Sequence, residues 1–199
     1  MRLWGGGAVI GTVLKGHTGA VQDVVFTEAG LLASGSADNT IRIWDVLHNE
    51  CLEVLSGHTF SVDALVVTAG SLVSGSVDKT VRIWDTKHVS VLRGHQNWIQ
   101  ALAILEDGTI VSGGLDRTVR RWRDGLCINI IETMRFGVVV ALASLPGNLI
   151  VCGFHDGFVV FDAVGNIMFQ TWRVPLRALS VHKNKLVIGT KTGSIQTWE

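Results

Sequence analysis

A chain of 199 residues is long enough to bury a sizeable core. Lys+Arg and Asp+Glu number 17 each, and 47% of residues are hydrophobic. That balance excludes a disordered chain, and global charge gives no support to non-specific nucleic-acid binding.

Met1 and Arg2, followed by an apolar stretch to Leu14, imitate a secretory leader. A repeat described below accounts for Arg2-Leu3-Trp4 independently, so the leader reading is rejected. Gly5-Gly6-Gly7 reads as a flexible link. It is not a phosphate loop, because no GxxxxGK[ST] pattern or helix follows. Residues 8–14 read as a strand. Further on, SGSADNTIRIWD at 34–45 returns as SGSVDKTVRIWD at 74–85 and as SGGLDRTVRRWR at 112–123. Weaker copies are CGFHDGFVVFD at 152–162 and IGTKTGSIQTWE at 188–199. The aromatic anchors Trp4, Trp44, Trp84, Trp122, Phe161 and Trp198 are spaced by 40, 40, 38, 39 and 37 residues. Gly16-His17, Gly57-His58 and Gly94-His95 precede the first three complete copies.

Within the second copy, 62–67, 71–74, 80–84 and 90–92 are strand-like runs bounded by Gly, Asp and Ala turns. The apolar run GVVVALASL at 137–145 is too short for a membrane span and reads as a buried strand. Helical periodicity is sustained nowhere. A 40-residue unit of four strands carrying Gly-His and Trp-Asp markers is the pattern of a propeller blade.

On these residues the whole chain resembles the WD-repeat β-propeller family. The resemblance implies an all-β domain over 1–199 with about five four-stranded blades, in units ending near 44, 84, 122, 161 and 198. Residues 8–14 would complete the last blade and close a ring. The family more often has seven blades, so an open arc of a longer propeller is the competing expectation.

The constellations His17/Ser34/Asp38/Trp44, His58/Ser74/Asp78/Trp84 and His95/Ser112/Asp116/Trp122 contain the residue types of a nucleophilic triad. A tandem threefold copy argues against catalysis, and in the family these positions form a structural hydrogen-bond network. The fourth unit keeps Asp156 but has Cys152 for Ser, Phe161 for Trp and Met134-Arg135 for Gly-His. The fifth has Ile188 for Ser, Thr192 for Asp and Thr171-Trp172 for Gly-His. Those units are expected to rely on apolar packing and to form the less stable side.

No spacing of His or Cys matches a metal site, and no cofactor or catalytic residue is expected. Cys51, Cys127 and Cys152 read as reduced thiols of an intracellular protein, cytoplasmic or nuclear. Arg117, Arg120, Arg121 and Arg123 read as a solvated outer face, with an acidic partner as the alternative. In the family, partner-facing residues stand at the start of each innermost strand and before the turn Asp. Here these are Ala20, Gln22 and Ala37; Ser61, Asp63 and Val77; Trp98, Gln100 and Leu115; Val138, Val140 and His155; and Pro175, Arg177 and Lys191. Gln22, Asp63, Trp98, Gln100, His155, Arg177 and Lys191 are the candidate contacts, with Trp98 as anchor.

The expected function is a non-catalytic scaffold that binds other proteins or peptides, with neither membrane nor nucleic acid as partner. The alternative is a module that recognises a substrate or modified peptide at the top of the central channel. Short connections such as 68–70 resemble those in the propellers of F-box ubiquitin-ligase receptors, although these 199 residues hold no F-box segment.

Overall fold

The computed structural model describes residues 13–68, 70–85, 88–174, 176–182 and 185–198, without the side chains of Arg177 and His182. Among them lie nineteen strands and no helix. Blade one holds β1 (Val21–Phe26), β2 (Leu32–Ser36), β3 (Ile41–Asp45) and β4 (Glu50–Leu55). Blade two holds β5 (Val62–Thr68), β6 (Ser71–Ser76), β7 (Thr80–Trp84) and β8 (Val89–Arg93). Blade three follows with β9 (Ile99–Ile104), β10 (Ile110–Gly114), β11 (Thr118–Arg123) and β12 (Leu126–Glu132). Blade four contains β13 (Ala141–Leu145), β14 (Leu149–Phe154), β15 (Gly157–Phe161) and β16 (Ile167–Trp172). Blade five has β17 (Leu176–His182), β18 (Lys185–Thr190) and β19 (Ile195–Trp198). Each sheet is antiparallel and ordered as in sequence, and the five are arranged as a five-blade propeller.

Each blade turns tightly because its sequence permits it. Asp38 Oδ1 accepts the backbone N–H of Thr40 at 3.0 Å, which folds the β2–β3 turn back on itself. The residue between them, Asn39, is left-handed at φ 70°, as are Lys79 and Arg117 in the equivalent turns. Successive blades bury apolar residues on both sheet faces, so the second strand of every four-stranded blade is almost wholly buried. This is why the chain combines many hydrophobic residues with few charges.

The blade interface has a repeated lock. A Cβ placed on Gly35 would lie 2.9 Å from Val62 Cγ1 of the next blade. The same holds for Gly75 against Ile99 Cγ2 at 2.7 Å, and for Gly113 against Val139 Cγ1 at 2.6 Å. Glycine lets the neighbouring inner strand approach this closely. Gly75→Ala is therefore expected to lower stability by about 1–3 kcal/mol through overpacking. Gly189→Ala, whose added carbon would meet Ala178 Cβ at an ordinary 3.5 Å, should stay within about 0.5 kcal/mol of wild type. Urea denaturation of the two variants checks this contrast.

Two readings of the sequence change here. The run 137–145 is not one strand: β13 begins only at Ala141, and Val139 is buried before it, held by its packing over Gly113. The strand expected at 8–14 lies largely outside the described residues, as do Trp4 and Gly5-Gly6-Gly7. Its described end, Leu14, packs with Leu32 and Trp44. Leu92 of β8 makes the matching contact with Trp122, so Leu14 stands where the outer strand of a preceding blade would end. Inner strands β1, β5, β9, β13 and β17 pack in series, but β17 makes no comparable packing with β1 among the described residues.

Candidate functional site

Three blades carry the same hydrogen-bonded chain. Trp44 Nε1 donates to Ser34 Oγ at 2.7 Å, Ser34 Oγ lies 2.7 Å from His17 Nε2, and His17 Nδ1 lies 2.8 Å from Asp38 Oδ2. In blade two the distances are 2.8 Å for Trp84–Ser74, 2.7 Å for Ser74–His58 and 2.7 Å for His58–Asp78. In blade three, Trp122–Ser112, Ser112–His95 and His95–Asp116 are all 2.7 Å. The direction of the protons follows from the indole. It can only donate, so the serine oxygen accepts and the serine proton goes to Nε2, leaving Nδ1–H for the carboxylate. Each Asp also accepts the N–H of the residue after His and a Thr hydroxyl, as Asp38 does from Thr18 at 2.9 Å and Thr40 at 2.6 Å.

Burial raises the carboxylate pKa at these positions. The hydrogen bonds from His and Thr outweigh it, so Asp38 and Asp78 fall well below the ordinary 3.8 and Asp116 falls to about 2. Ser74 and Ser112 are fully buried and already accept an indole N–H, so neither is presented to a substrate. A Cβ on Gly16, Gly57 or Gly94 would lie 2.8 Å from Nη1 of Arg42, Arg82 or Arg120, the far end of a flexible side chain that can move aside.

Blade four solves the same packing problem without polar groups. The sequence aligns Arg135 with the histidines, but Phe136 is the ring that occupies their place. Its centroid lies 6.0 Å from that of Phe161 at 62°, against 6.0 Å and 63° for His17 and Trp44. Phe154 and Trp172 complete the cluster at 5.6 Å each from Phe136, and Arg135 stacks over its ring. Trp172 thus serves blade four and does not stand in for a blade-five histidine. Cys152 is buried where the serines stand, and burial pushes its thiol far above the ordinary range. In blade five, Ile188 replaces the serine, and Trp198 Nε1 is buried without an acceptor among the described residues.

Antiparallel topology puts the β2–β3 type turns and the connections between blades at one end of the propeller. At that end Gln22, Asp63, Gln100, His155 and Lys191 line one cavity of about 230 Å³ with Val140 and Leu176. All five blades contribute to it. Lys191 Nζ lies 3.2 Å from His155 Nδ1, and Ser61 Oγ donates to Asp63 at 2.5 Å. Burial raises the Asp63 pKa despite that bond. Trp98 is exposed and lies outside this lining, with its carbonyl accepting Leu115 N–H at 2.9 Å. Matching bonds join Ala20 to Ala37 and Ser61 to Val77. The side chain of Arg177 lies outside the described ones.

One residue outside the candidate set takes a structural part. Asp23 Oδ2 accepts Leu65 N–H at 2.7 Å and so ties blade one to blade two. The arginine group is partly solvated: Arg117 and Arg123 are exposed and Arg120 and Arg121 half-buried. Arg121 donates to Ala163 O and Arg123 pairs with Asp107, while Arg120 reaches Cys127 Sγ at 3.9 Å. Among the described residues no His, Cys, Asp and Glu cluster suits a metal ion, the cysteines are unpaired with each other, and no helix is long and apolar enough to cross a membrane.

Repeated blades with a Trp–Ser–His–Asp chain define a propeller of the WD-repeat class. Residues 8–45, 49–85 and 86–123 each match the family described as WD domain, G-beta repeat, and the chain belongs to that family. It is 40% identical over 52 residues to Cell division control protein 4 of Saccharomyces cerevisiae, covering 26% of this chain and 7% of that protein. To Pre-mRNA-processing factor 19 of Mus musculus it is 45% identical over 53 residues, covering 26% and 10%. To Eukaryotic translation initiation factor 3 subunit I of Aspergillus oryzae it is 51% identical over 41 residues, covering 20% and 12%. The chain therefore aligns with only a small part of each relative. WD-repeat proteins generally act as scaffolds for protein interaction.

Proposed function

We propose that this chain is a non-catalytic protein-interaction module that receives its partner at the channel mouth. The carrying observation is the convergence of Gln22, Asp63, Gln100, His155 and Lys191, drawn from five blades, on one cavity. A rigid scaffold that presents loop residues around a concavity suits recognition better than turnover. The mouth offers a carboxylate from blade two and a base from blade five, which fit a partner segment carrying both signs of charge. Trp98, 46% exposed, is the flanking anchor, and Arg177 belongs to the same contact set by its position on β17. The three Trp–Ser–His–Asp chains hold the blades and take no part in chemistry. The partner is a protein or peptide, because the balanced charge and the internally engaged arginines leave no phosphate-tracking stripe. The working place is inside the cell, in keeping with relatives named for cell division and pre-mRNA processing.

Affinity purification compares wild type with a Trp98→Ala/Asp63→Ala/Lys191→Ala variant and with Leu47→Ser, which alters an exposed turn at the opposite end. The triple variant should lose the proteins that Leu47→Ser retains. Retention of every partner by the triple variant would remove the channel mouth as the binding surface. A second reading, recognition of a substrate peptide for ubiquitin transfer, draws on the 40% identity to F-box/WD repeat-containing protein 7 of Drosophila melanogaster over 25% of this chain.

A further inference from the structure

Gln22, Asp63 and Gln100 owe their direction to one repeated irregularity. The pairing of β1 with β2 steps from Val21 to Asp23 while the partner strand advances by a single residue, which leaves Gln22 as the extra one. The same extra residue is Asp63, between Val62 and Ala64 of β5, and Gln100, between Ile99 and Ala101 of β9. A bulge bends its strand and re-aims a side chain, and all three bulged residues line the cavity at the channel mouth. Blades one, two and three thus present an amide, a carboxylate and an amide in succession.

Ser61 Oγ donates to the central carboxylate, and among the described residues Asp63 forms no ion pair. Asp23 differs, because its carboxylate accepts both Leu65 N–H and Val24 N–H. Lys191 lines the same cavity, but its Nζ is directed at His155 Nδ1. Burial raises the Asp63 pKa, a cost that an incoming cation would relieve. The cavity of about 230 Å³ is smaller than the roughly 300–1,000 Å³ that holds a whole small ligand, so it suits one inserted side chain. The segments that lead into two of the bulges expose rings beside it. Phe60, 59% exposed, stands three residues before Asp63, and the exposed Trp98 stands two before Gln100. Their backbones are fixed: Ser76 Oγ donates to Phe60 O at 3.1 Å, and Leu115 N–H donates to Trp98 O at 2.9 Å.

We propose that the mouth reads an arginine of the partner peptide, its guanidinium held by Asp63 between the amide oxygens of Gln22 and Gln100, with its apolar neighbours resting on Phe60 and Trp98. This specificity rests on the mouth being the binding surface, as proposed above, and names what that surface recognises. Charge complementarity selects the occupant, since a half-buried carboxylate without a cation calls for one. Arginine fits better than lysine. Its planar fork bonds a carboxylate and a flanking amide oxygen at once, whereas an ammonium acts as a point charge.

Selection of random peptides displayed on phage, with the intact chain as bait, tests this. Peptides captured by wild type should share an arginine flanked by bulky apolar residues. A synthetic copy of one should lose about tenfold or more in affinity when its arginine becomes citrulline, which keeps the shape and removes the charge. That change leaves the protein untouched, so folding does not enter. Asp63→Asn should weaken the arginine peptide by a similar factor and leave the citrulline peptide unchanged. Phe60→Ala should weaken both alike. Equal affinity of the arginine and citrulline peptides would overturn the proposal. Captured peptides without a basic residue, released by Trp98→Ala/Lys191→Ala, would overturn it and leave the mouth as the binding surface. Peptides that bind wild type and the Trp98→Ala/Asp63→Ala/Lys191→Ala variant equally would overturn both readings.

Discussion

Replacing His58 by Ala is expected to cost about 3–4 kcal/mol of folding stability. The side chain has no exposure, and its removal strips partners from two buried groups at once, Ser74 Oγ and the Asp78 carboxylate. Neither can turn to water in the interior, so each loses its bond without replacement. His17→Ala removes the same bonds at the edge of a cavity of about 580 Å³ lined by His17, Ser34 and Trp44, so water can enter the space that the imidazole leaves. Its cost should be about 1–2 kcal/mol. Urea denaturation of dilute protein measures both, and equal losses would show that burial does not set the strength of the network.

The acid response follows from the same groups. Asp38, Asp78 and Asp116 have folded pKa values below the ordinary 3.8 because His and Thr hydrogen bonds outweigh burial. A depressed folded pKa contributes stability that is present above the unfolded value and lost as pH falls through the folded one. For Asp116 that window runs from about 4 down to about 2. Stability of wild type should therefore decline through this range, and Asp116→Asn should flatten the decline. An unchanged slope in that variant would detach acid sensitivity from the network.

Phe161→Ala carries the other large effect, about 3–5 kcal/mol. Phe161 is 2% exposed and lies in the cluster formed with Phe154, Val159 and Phe136. Ala leaves a cavity that the surrounding strands cannot fill, because β15 is wholly buried, β14 almost so, and both are fixed by their pairing. The polar blades behave differently under the same kind of change. Restoring Trp at 161 alone would bury an indole N–H opposite Cys152, a weak acceptor, whereas Phe161→Trp with Cys152→Ser restores the pair. Denaturation midpoints of the single and double variants should show favourable coupling of about 1 kcal/mol or more. Additive effects would mean that blade four does not accept the polar solution.

The extent to which the fold was readable follows from how each residue is constrained. In blade two the strand positions were legible because turns at Gly70 and 77–79 bracket β-branched runs, and β7 begins and ends where read. The hydrogen-bonded blades were legible too, since His, Ser, Asp and Trp recur at fixed offsets. Where the polar set disappears, register in the sequence misleads. Arg135 aligns with histidine, yet its long cationic side chain cannot enter an apolar site, and the neighbouring Phe136 fills it. Likewise the apolar run 137–145 looks continuous, although only its second half pairs as a strand.

What the sequence determined by itself is the repeating unit: forty residues that form four strands, with a polar chain in three blades and an apolar substitute in the fourth. Local turn chemistry and alternation suffice for that, because each blade is largely specified by its own residues and its neighbours. Only the tertiary structure decided how five blades share a cavity, and which candidate residues face it. It also decided that the second-strand glycines Gly35, Gly75 and Gly113 admit the inner strand of the next blade. Those outcomes depend on distances between residues up to a whole chain apart, which no local pattern encodes.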